Sequence, residues 1–375
     1  MSLIVDIHAL QTIPPSLINR DDTGAPKTAI FGGVPRQRVS SQSWKRAIRG
    51  YVEDNVDSSL IGLRSKKLPA EIAKAVKAES DWDDEKVLAG LKALFKAAKI
   101  TLADPKKEKD QDEETDPADF PWPETGYLLF LSKPQIERAA REIIAKDGEA
   151  FKKNEAEDIL DTQHSEDIAM FGRMLADAPN YNVDAAVQVA HALSVHETQP
   201  EFDYFTAVDD VVEDNHEIGA GMIGTVQMMS STLYRFAAIN IDGLEDNLGS
   251  REAAIESVGH FIEAFVNSMP SGKQNTFANN TLPELVFVVV RQGRSVSLVN
   301  AFEEPITAVD GAGRRRESAN ALAAEHKQIV ENYGFEPAGA FVVALGDLGE
   351  NFSELAESTT LPRLGEQVKS LLQEN

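Results

Sequence analysis

Apolar and polar positions change period along the chain, and the changes mark its elements. Positions 3–10 are mostly apolar, interrupted by Asp6 and His8, which predicts a largely buried β-strand. Pro14, Pro15, Asn19, Asp21, Asp22, Gly24 and Pro26 then mark a long loop. Positions 34–40 alternate, placing Arg36 and Arg38 on one side of an extended segment. A helix capped by Ser40 or Ser41 follows. At about 100° per residue, Trp44, Ala47, Ile48 and Tyr51 share one face, and Gln42, Lys45, Arg46 and Arg49 share the other. Such a helix docks through its aromatic-aliphatic stripe and presents a basic face.

From 52 to 160 the texture changes to Ala, Lys, Glu and Asp, with helical periodicity at 70–78 and 84–98. The acidic, proline-bearing stretch 104–124 reads as a solvated linker. Strand character returns at 187–195, 228–241, 285–290 and 341–345, and helical character at 251–267 and 318–333. With 52–160 set aside as a helical insertion, the order is strand, helix, strands, helix, strand. That order suits an α+β fold with a sheet of the ferredoxin or RNA-recognition kind, built discontinuously from 1–51 and 161–375. The aromatic signature of ordinary RNA-recognition modules is absent.

Composition narrows the function classes. The 375 residues suggest two or three packing units. No apolar run nears the roughly 18 residues of a membrane helix, and no secretory pattern opens the chain. Cysteine is absent, which removes disulfides and thiolate metal sites and fits a reducing cytoplasm. The net charge of −24 argues against a generally nucleic-acid-binding surface. Yet residues 20–49 hold seven bases (Arg20, Lys27, Arg36, Arg38, Lys45, Arg46, Arg49) against two acids, a local net of +5. That is either a confined anion-binding patch or a solvated helix face with ordinary ion pairs.

Familiar catalytic motifs are few. The seven histidines are scattered, His191 and His196 are not at ligand spacing, and His191 reads as a core or rim residue. There is no HExxH, EF-hand loop, GxSxG or Walker A sequence. Gly219, Gly221 and Gly224 form a GxGxxG, but strand-like residues follow it, so it reads as a loop rather than a nucleotide cradle. Asp21-Asp22 is the tempting acidic pair. Beside arginines it could hold a magnesium ion and cut RNA, or it could simply end a turn.

Several ordered stretches resemble one family. Asn19-Arg20-Asp21-Asp22, Ala29-Ile30-Phe31-Gly32-Gly33, Arg38-Val39-Ser40-Ser41-Gln42-Ser43 and Lys45-Arg46-Ala47 are similar to the N-terminal signature of CasC, the backbone subunit of type I-E CRISPR Cascade in the RAMP superfamily. Asp167-Ile168-Ala169 with Gly172-Arg173-Met174 resembles its central motif, and Phe205-Thr206-Ala207-Val208-Asp209-Asp210 its thumb. Tyr234-Arg235-Phe236, Gly272-Lys273-Gln274 and Asn300-Ala301-Phe302-Glu303 resemble its later half.

The resemblance implies a hand: an RNA-recognition-like palm, helical fingers at 52–160 and a β-hairpin thumb at 197–226. It implies a cytoplasmic, non-catalytic protein with no cofactor or metal. Its partners would be CRISPR guide RNA, copies of itself stacked head to tail, other Cascade subunits and, through the guide, target DNA. The RNA-binding residues it implies are Arg20, Lys27, Arg38, Ser40, Gln42, Lys45, Arg46, Arg49, Arg173, Met174, Phe205, Thr206, Val208, Lys273 and Gln274. For target DNA the finger candidates are Arg138, Arg141, Lys146, Lys152 and Lys153. The alternative implied by related backbones is a metal-dependent endoribonuclease using Asp21 or Asp22.

Overall fold

The computed structural model describes residues 2–103, 120–175, 178–208, 220–307 and 313–375. Its strands are β1 (Leu3–Ser16), β2 (Thr28–Phe31), β3 (Val34–Val39), β4 (Gly62–Ser65), β5 (Leu102–Ala103), β6 (Glu124–Thr125), β7 (Leu129–Ser132), β8 (Val187–Val189), β9 (Ala192–Ser194), β10 (Glu201–Val208), β11 (Ala220–Asn240), β12 (Leu285–Gln292), β13 (Gly339–Ala344) and β14 (Glu357–Ser358). Its α-helices are α1 (Ser41–Asn55), α2 (Leu68–Glu79), α3 (Asp84–Ala97), α4 (Lys133–Ala145), α5 (Lys153–Leu160), α6 (Glu166–Phe171), α7 (Ile241–Leu248), α8 (Arg251–Asn267), α9 (Gln274–Phe277), α10 (Arg314–Tyr333) and α11 (Leu361–Glu374). They divide into two compact units: 1–52 with 188–240 and 258–375, and 53–187 with 241–257. The protein is a mixed α+β structure. No helix among the described residues is long and apolar enough to cross a membrane.

The larger unit is built on a mixed sheet in the order β14-β13-β12-β1-β11-β9-β3-β2, antiparallel except where β13 meets β14. β1 lies centrally and is buried on both faces, so its alternation sorts residues between two cores. Ile4, His8 and Leu10 face the core made with Tyr234, Phe236 and Phe287, against Ala319, Leu322 and Ala323 of α10. On the opposite face Ile13 packs with Leu233 and Trp44 of α1.

Polar groups are buried on both faces, and Asp6, His8 and Gln11 of β1 each meet a partner. Asp6 pairs with Arg291 at 3.1 Å and accepts from Ser295 Oγ (2.7 Å) and Val296 N–H (2.9 Å). Arg291 Nη2 lies 3.2 Å from His326 Nδ1 on α10. The guanidinium can only donate, so that nitrogen accepts and the imidazole is neutral. Leu298 N–H donates to the Tyr234 hydroxyl (3.0 Å), which in turn reaches His8 Nδ1 at 2.8 Å. On the other face Arg235 donates to Gln11 Oε1 at 2.7 Å and to Phe265 O. Its guanidinium carbon sits 3.7 Å from the Trp44 ring centroid and 4.3 Å from that of Phe265. Burial pushes its pKa down to about 9, so it remains cationic at neutral pH. The two rings supply the electron-rich faces that a desolvated cation needs.

The smaller unit is mainly helical. Leu68, Ile72 and Val76 of α2, Val87, Leu91, Leu94 and Phe95 of α3, Ile143 of α4 and Ile159 and Leu160 of α5 form one core. Two small antiparallel pairs, β4 with β7 and β5 with β6, close it. Ser132 and Gln135 form a reciprocal capping box at the start of α4. The insertion expected over 52–160 is longer than its composition indicated. Leu175, Ala178 and Tyr181 belong to this core, and Asn247 Nδ2 of α7 donates to Ala169 O (3.0 Å) and Asp184 O (2.8 Å). The GxGxxG is no cradle. Gly221 and Gly224 sit inside β11, no helix follows them, and Gly219 lies outside the described residues. Most of the acidic stretch 104–124 also lies outside them.

The neutral His326 makes stability depend on pH. Burial first, and then the charge of Arg291, lowers its pKa from the ordinary 6.5 to about 4. Between those values the unfolded chain binds the proton and the folded chain does not, so stability falls as pH drops from about 6.5 to about 4. In His326→Gln, an amide oxygen can still accept from Arg291 but does not titrate. Urea unfolding at stepped pH should show this variant losing less stability than wild type across that window.

Candidate nucleic-acid interface

Three segments of the larger unit are laced together through the backbone. Arg20 bridges Pro26, Lys27 N–H donates to Asn19 O (3.1 Å), and Arg38 N–H donates to Lys27 O (2.9 Å). Asn19 Oδ1 then accepts from Ser40 N–H at 2.9 Å. Ser40 is the N-cap of α1: its carbonyl accepts from Trp44 N–H (3.2 Å), and its hydroxyl lies 3.4 Å from Ser43 N. One frame therefore carries Arg20, Lys27, Arg38 and Ser40. Arg20 is exposed, Lys27 and Arg38 are half-buried, and Ser40 is buried.

On α1 the buried residues are Trp44, Ile48 and Val52, while Gln42 and Arg46 are exposed and Lys45 and Arg49 half-buried. Burial holds the Lys45 ammonium below its ordinary pKa. No acid occupies the first turn of the helix. A second loop joins the frame at Gly272. A Cβ there would fall 2.4 Å from Ile18 O, so glycine lets residue 272 lie directly against the backbone preceding Asn19. This brings Lys273 and Gln274, both exposed, to the same region, with Gln274 Nε2 donating to Asn280 Oδ1 at 3.1 Å.

Two arginines, one from the basic stretch and one from the expected RNA contacts, turn out to be internal clamps. Arg36, counted in the basic stretch, is fully buried. It donates to Phe31 O (3.1 Å), Ser194 O (3.1 Å), Phe302 O (2.9 Å) and Glu303 O (3.1 Å). Gly32 faces the same carbonyl of Glu303, too closely for any Cβ. Arg173, expected to touch RNA, has a side chain only 2% exposed. It donates to Tyr181 O (2.8 Å), Phe130 O (3.2 Å) and Leu160 O (3.1 Å) and pairs with Asp161 at 2.6 Å. A cation saturated by three carbonyls and a carboxylate is not free to meet phosphate. Its backbone pairing with Val183 leaves the next residue, Met174, facing outward at 84% exposure.

Within 197–226, β10 and β11 run antiparallel, and residues 209–219 between them lie outside the described residues. β10 pairs with β11 from Glu201↔Met228 to Val208↔Ala220, and β11 meets β1 only from Met229 onward. The arm thus spans roughly 25 Å at the usual strand rise. Phe202, Tyr204, Met222 and Ile223 are exposed along it, as is Thr206. The Phe205 ring lies over Gly224, its cross-strand partner. The Val208 side chain lies outside the described residues.

Asp21 is engaged locally. Its Oδ1 accepts from Thr23 N–H (2.9 Å), Thr23 Oγ (2.7 Å) and Ala25 N–H (3.0 Å), and the hydroxyl bond in particular holds the carboxyl below its ordinary pKa. Asp22 is exposed. No group of three or more His, Asp or Glu among the described residues is placed to hold a metal ion.

A family model described as CT1975-like protein matches residues 5–368. The chain belongs to the CT1975-like family. It is similar to a solved chain titled "CRISPR RNA-guided surveillance complex, pre-nicking", with 33% identity, 99% of each chain covered and a TM-score of 0.78. A second, titled "CRISPR RNA-guided surveillance complex", shows 28% identity over 99% of this chain and 100% of that one, at a TM-score of 0.68. No curated protein sequence matches.

In this CT1975-like protein most of the cations expected to meet target DNA have local partners. Arg138 donates to Asp158 O (2.8 Å), Thr162 O (3.1 Å) and Gln163 Oε1 (3.0 Å). Arg141 pairs with Glu137 (3.3 Å), Lys146 with Glu155 (3.0 Å) and Lys153 with Glu157 (3.2 Å). Lys152 is exposed. The frame also holds a residue that the sequence placed only as core or rim: His191, exposed, accepts from Ser41 N–H through Nδ1 at 3.2 Å. The two are 150 positions apart, and no local pattern could have joined them.

Arg173 and Met174 should separate cleanly in mutagenesis. Arg173→Met leaves Asp161 without its cation and should cost about 3 kcal/mol in thermal or urea unfolding. Met174→Ala should stay within about 0.5 kcal/mol of wild type.

Proposed function

We propose that this CT1975-like protein is a non-catalytic, RNA-binding backbone subunit of a Cascade-like CRISPR surveillance complex, of the type I-E CasC kind, acting in cytoplasmic antiviral defence. The observation that carries this reading is 33% identity across 99% of both chains with a surveillance-complex component, joined to a basic frame free of competing acids in the first turn of α1. The order β12-β1-β11-β9, with α1 between β1 and β9 in sequence and α8 between β11 and β12, is that of a ferredoxin-like sheet and supports an RNA-recognition-like palm. Copies stack along the guide RNA, and Arg20, Lys27, Arg38, Gln42, Lys45, Arg46, Arg49, Lys273 and Gln274 hold its phosphates without reading sequence. The apolar residues on the hairpin, together with Met174, wedge against bases, leaving the runs between them to pair with target DNA. Asp21 shapes its turn and does not cut.

Expression with its genomic neighbours, followed by size exclusion and sequencing of bound nucleic acid, tests this directly. The expected result is a multi-subunit particle with short RNAs of uniform length and shared repeat-derived ends. An RNA-free monomer in the presence of those neighbours would overturn the proposal. In a binding assay, Arg20→Ala with Arg46→Ala should weaken all single-stranded RNAs alike and flatten the salt dependence. The log-log slope should change by at most about 0.7 per lost phosphate contact.

A further inference from the structure

We propose that His191 is an uncharged hydrogen-bond donor to a phosphate oxygen of the bound RNA, aimed by the backbone at the start of α1. The inference rests on the RNA-binding reading above and adds to it a contact of a different physical kind. β9 follows His191 immediately and pairs with β3 through Arg38↔Leu193 and Val39↔Ala192, which carries the imidazole to the basic frame. There Nδ1 accepts from Ser41 N–H at 3.2 Å. A backbone donor cannot turn away, and a ring nitrogen that accepts carries no proton, so the proton of the neutral ring sits on Nε2. The fixed bond therefore sets both the tautomer and the ring's orientation.

The surroundings keep the ring neutral. The groups that bear on it are Arg38 from β3, Lys27 from the segment ahead of β2 and the Ser41 N–H from α1. Partial burial and then these two cations lower its pKa below the ordinary 6.5. No carboxylate is among them. The edge thus offers an Nε2–H, a guanidinium, an ammonium and a helix start without acids, all of which favour a negatively charged oxygen. Arg38 and Lys27 supply charge, and His191 supplies direction.

A neutral donor and a cation differ in how salt affects them, because only the cation releases counterions from RNA. The test is anisotropy of a labelled single-stranded RNA with the full chain, titrated with salt at pH 7.5, for wild type, His191→Ala, His191→Gln and Arg38→Ala. His191→Ala should weaken binding about tenfold, as loss of a hydrogen bond to a charged group does, with the salt slope unchanged. Arg38→Ala should weaken binding and flatten the slope by about 0.7. His191→Gln, which keeps an N–H donor, should recover most of the affinity, and it decides the matter if the alanine variant fails to fold. Wild-type affinity in His191→Ala overturns the proposal. So does a slope that flattens as for Arg38→Ala, which would mean an imidazolium. A loss seen with RNA but not with single-stranded DNA of the same sequence also overturns it, because that points to the 2′-hydroxyl. If wild type binds no RNA either alone or in the particle purified with its genomic neighbours, the functional reading fails and this inference goes with it. A loss confined to Arg38→Ala leaves the functional reading standing and removes His191.

Discussion

The larger unit depends on the burial of β1 on both of its faces. A strand in that position has no wet side, so each polar residue it carries must meet a specific partner. Asp6 has Arg291, His8 has Tyr234 and Gln11 has Arg235. Alternation sends Asp6 and His8 to one core and Gln11 to the other. A one-residue slip of β1 would exchange them and strand a carboxylate and two guanidinium groups without partners. Apolar residues alone would tolerate such a slip far better. The polar core therefore supplies register as well as cohesion, and register fixes everything that leaves the ends of β1.

The consequences run outward from that register. β1 ends at Ser16, and Asn19 follows close behind, where it ties Arg20, Lys27 and Ser40 into one frame. β11 keeps pace with β1 down to Met229 and then continues as the hairpin arm with β10. Arg235, sandwiched by Trp44 and Phe265, clamps α1 and α8 to the same strand. The basic face of α1 is thus positioned by a buried cation on its opposite side. Truncating Arg235 would blur the frame without touching any exposed charge.

Periodicity made much of this legible from sequence. Trp44 and Ile48 marked the inner face of α1 correctly, and α8 matches the helical pattern read at 251–267. The hairpin, by contrast, was visible only through family resemblance, because its exposed Phe202, Tyr204, Met222 and Ile223 break the rule that apolar residues turn inward. Arginine was the main source of error. Arg36, Arg173, Arg235 and Arg291 are all buried, and a one-dimensional charge count cannot separate a clamp on carbonyls from a phosphate contact. Met174 beside Arg173 makes the same point in reverse, since the apolar residue is the exposed one.

The contrast between internal and external arginines bears on how an acidic protein, at net −24, could hold an anionic polymer. Long-range attraction works against it, so affinity must come from short-range geometry in a place where acids are absent. The start of α1 beside Asn19 is such a place: backbone bonds fix where Lys27, Arg38 and His191 emerge, the first turn of α1 carries no carboxylate, and the nearby Asp21 carboxylate is engaged by its own turn. Prepositioned donors lose little side-chain freedom on binding, whereas long flexible lysines on an open surface lose much more. The acidic remainder would then repel stray nucleic acid and confine binding to the frame. On the proposed reading, contacts that hold RNA without reading its bases would gain their selectivity from that confinement.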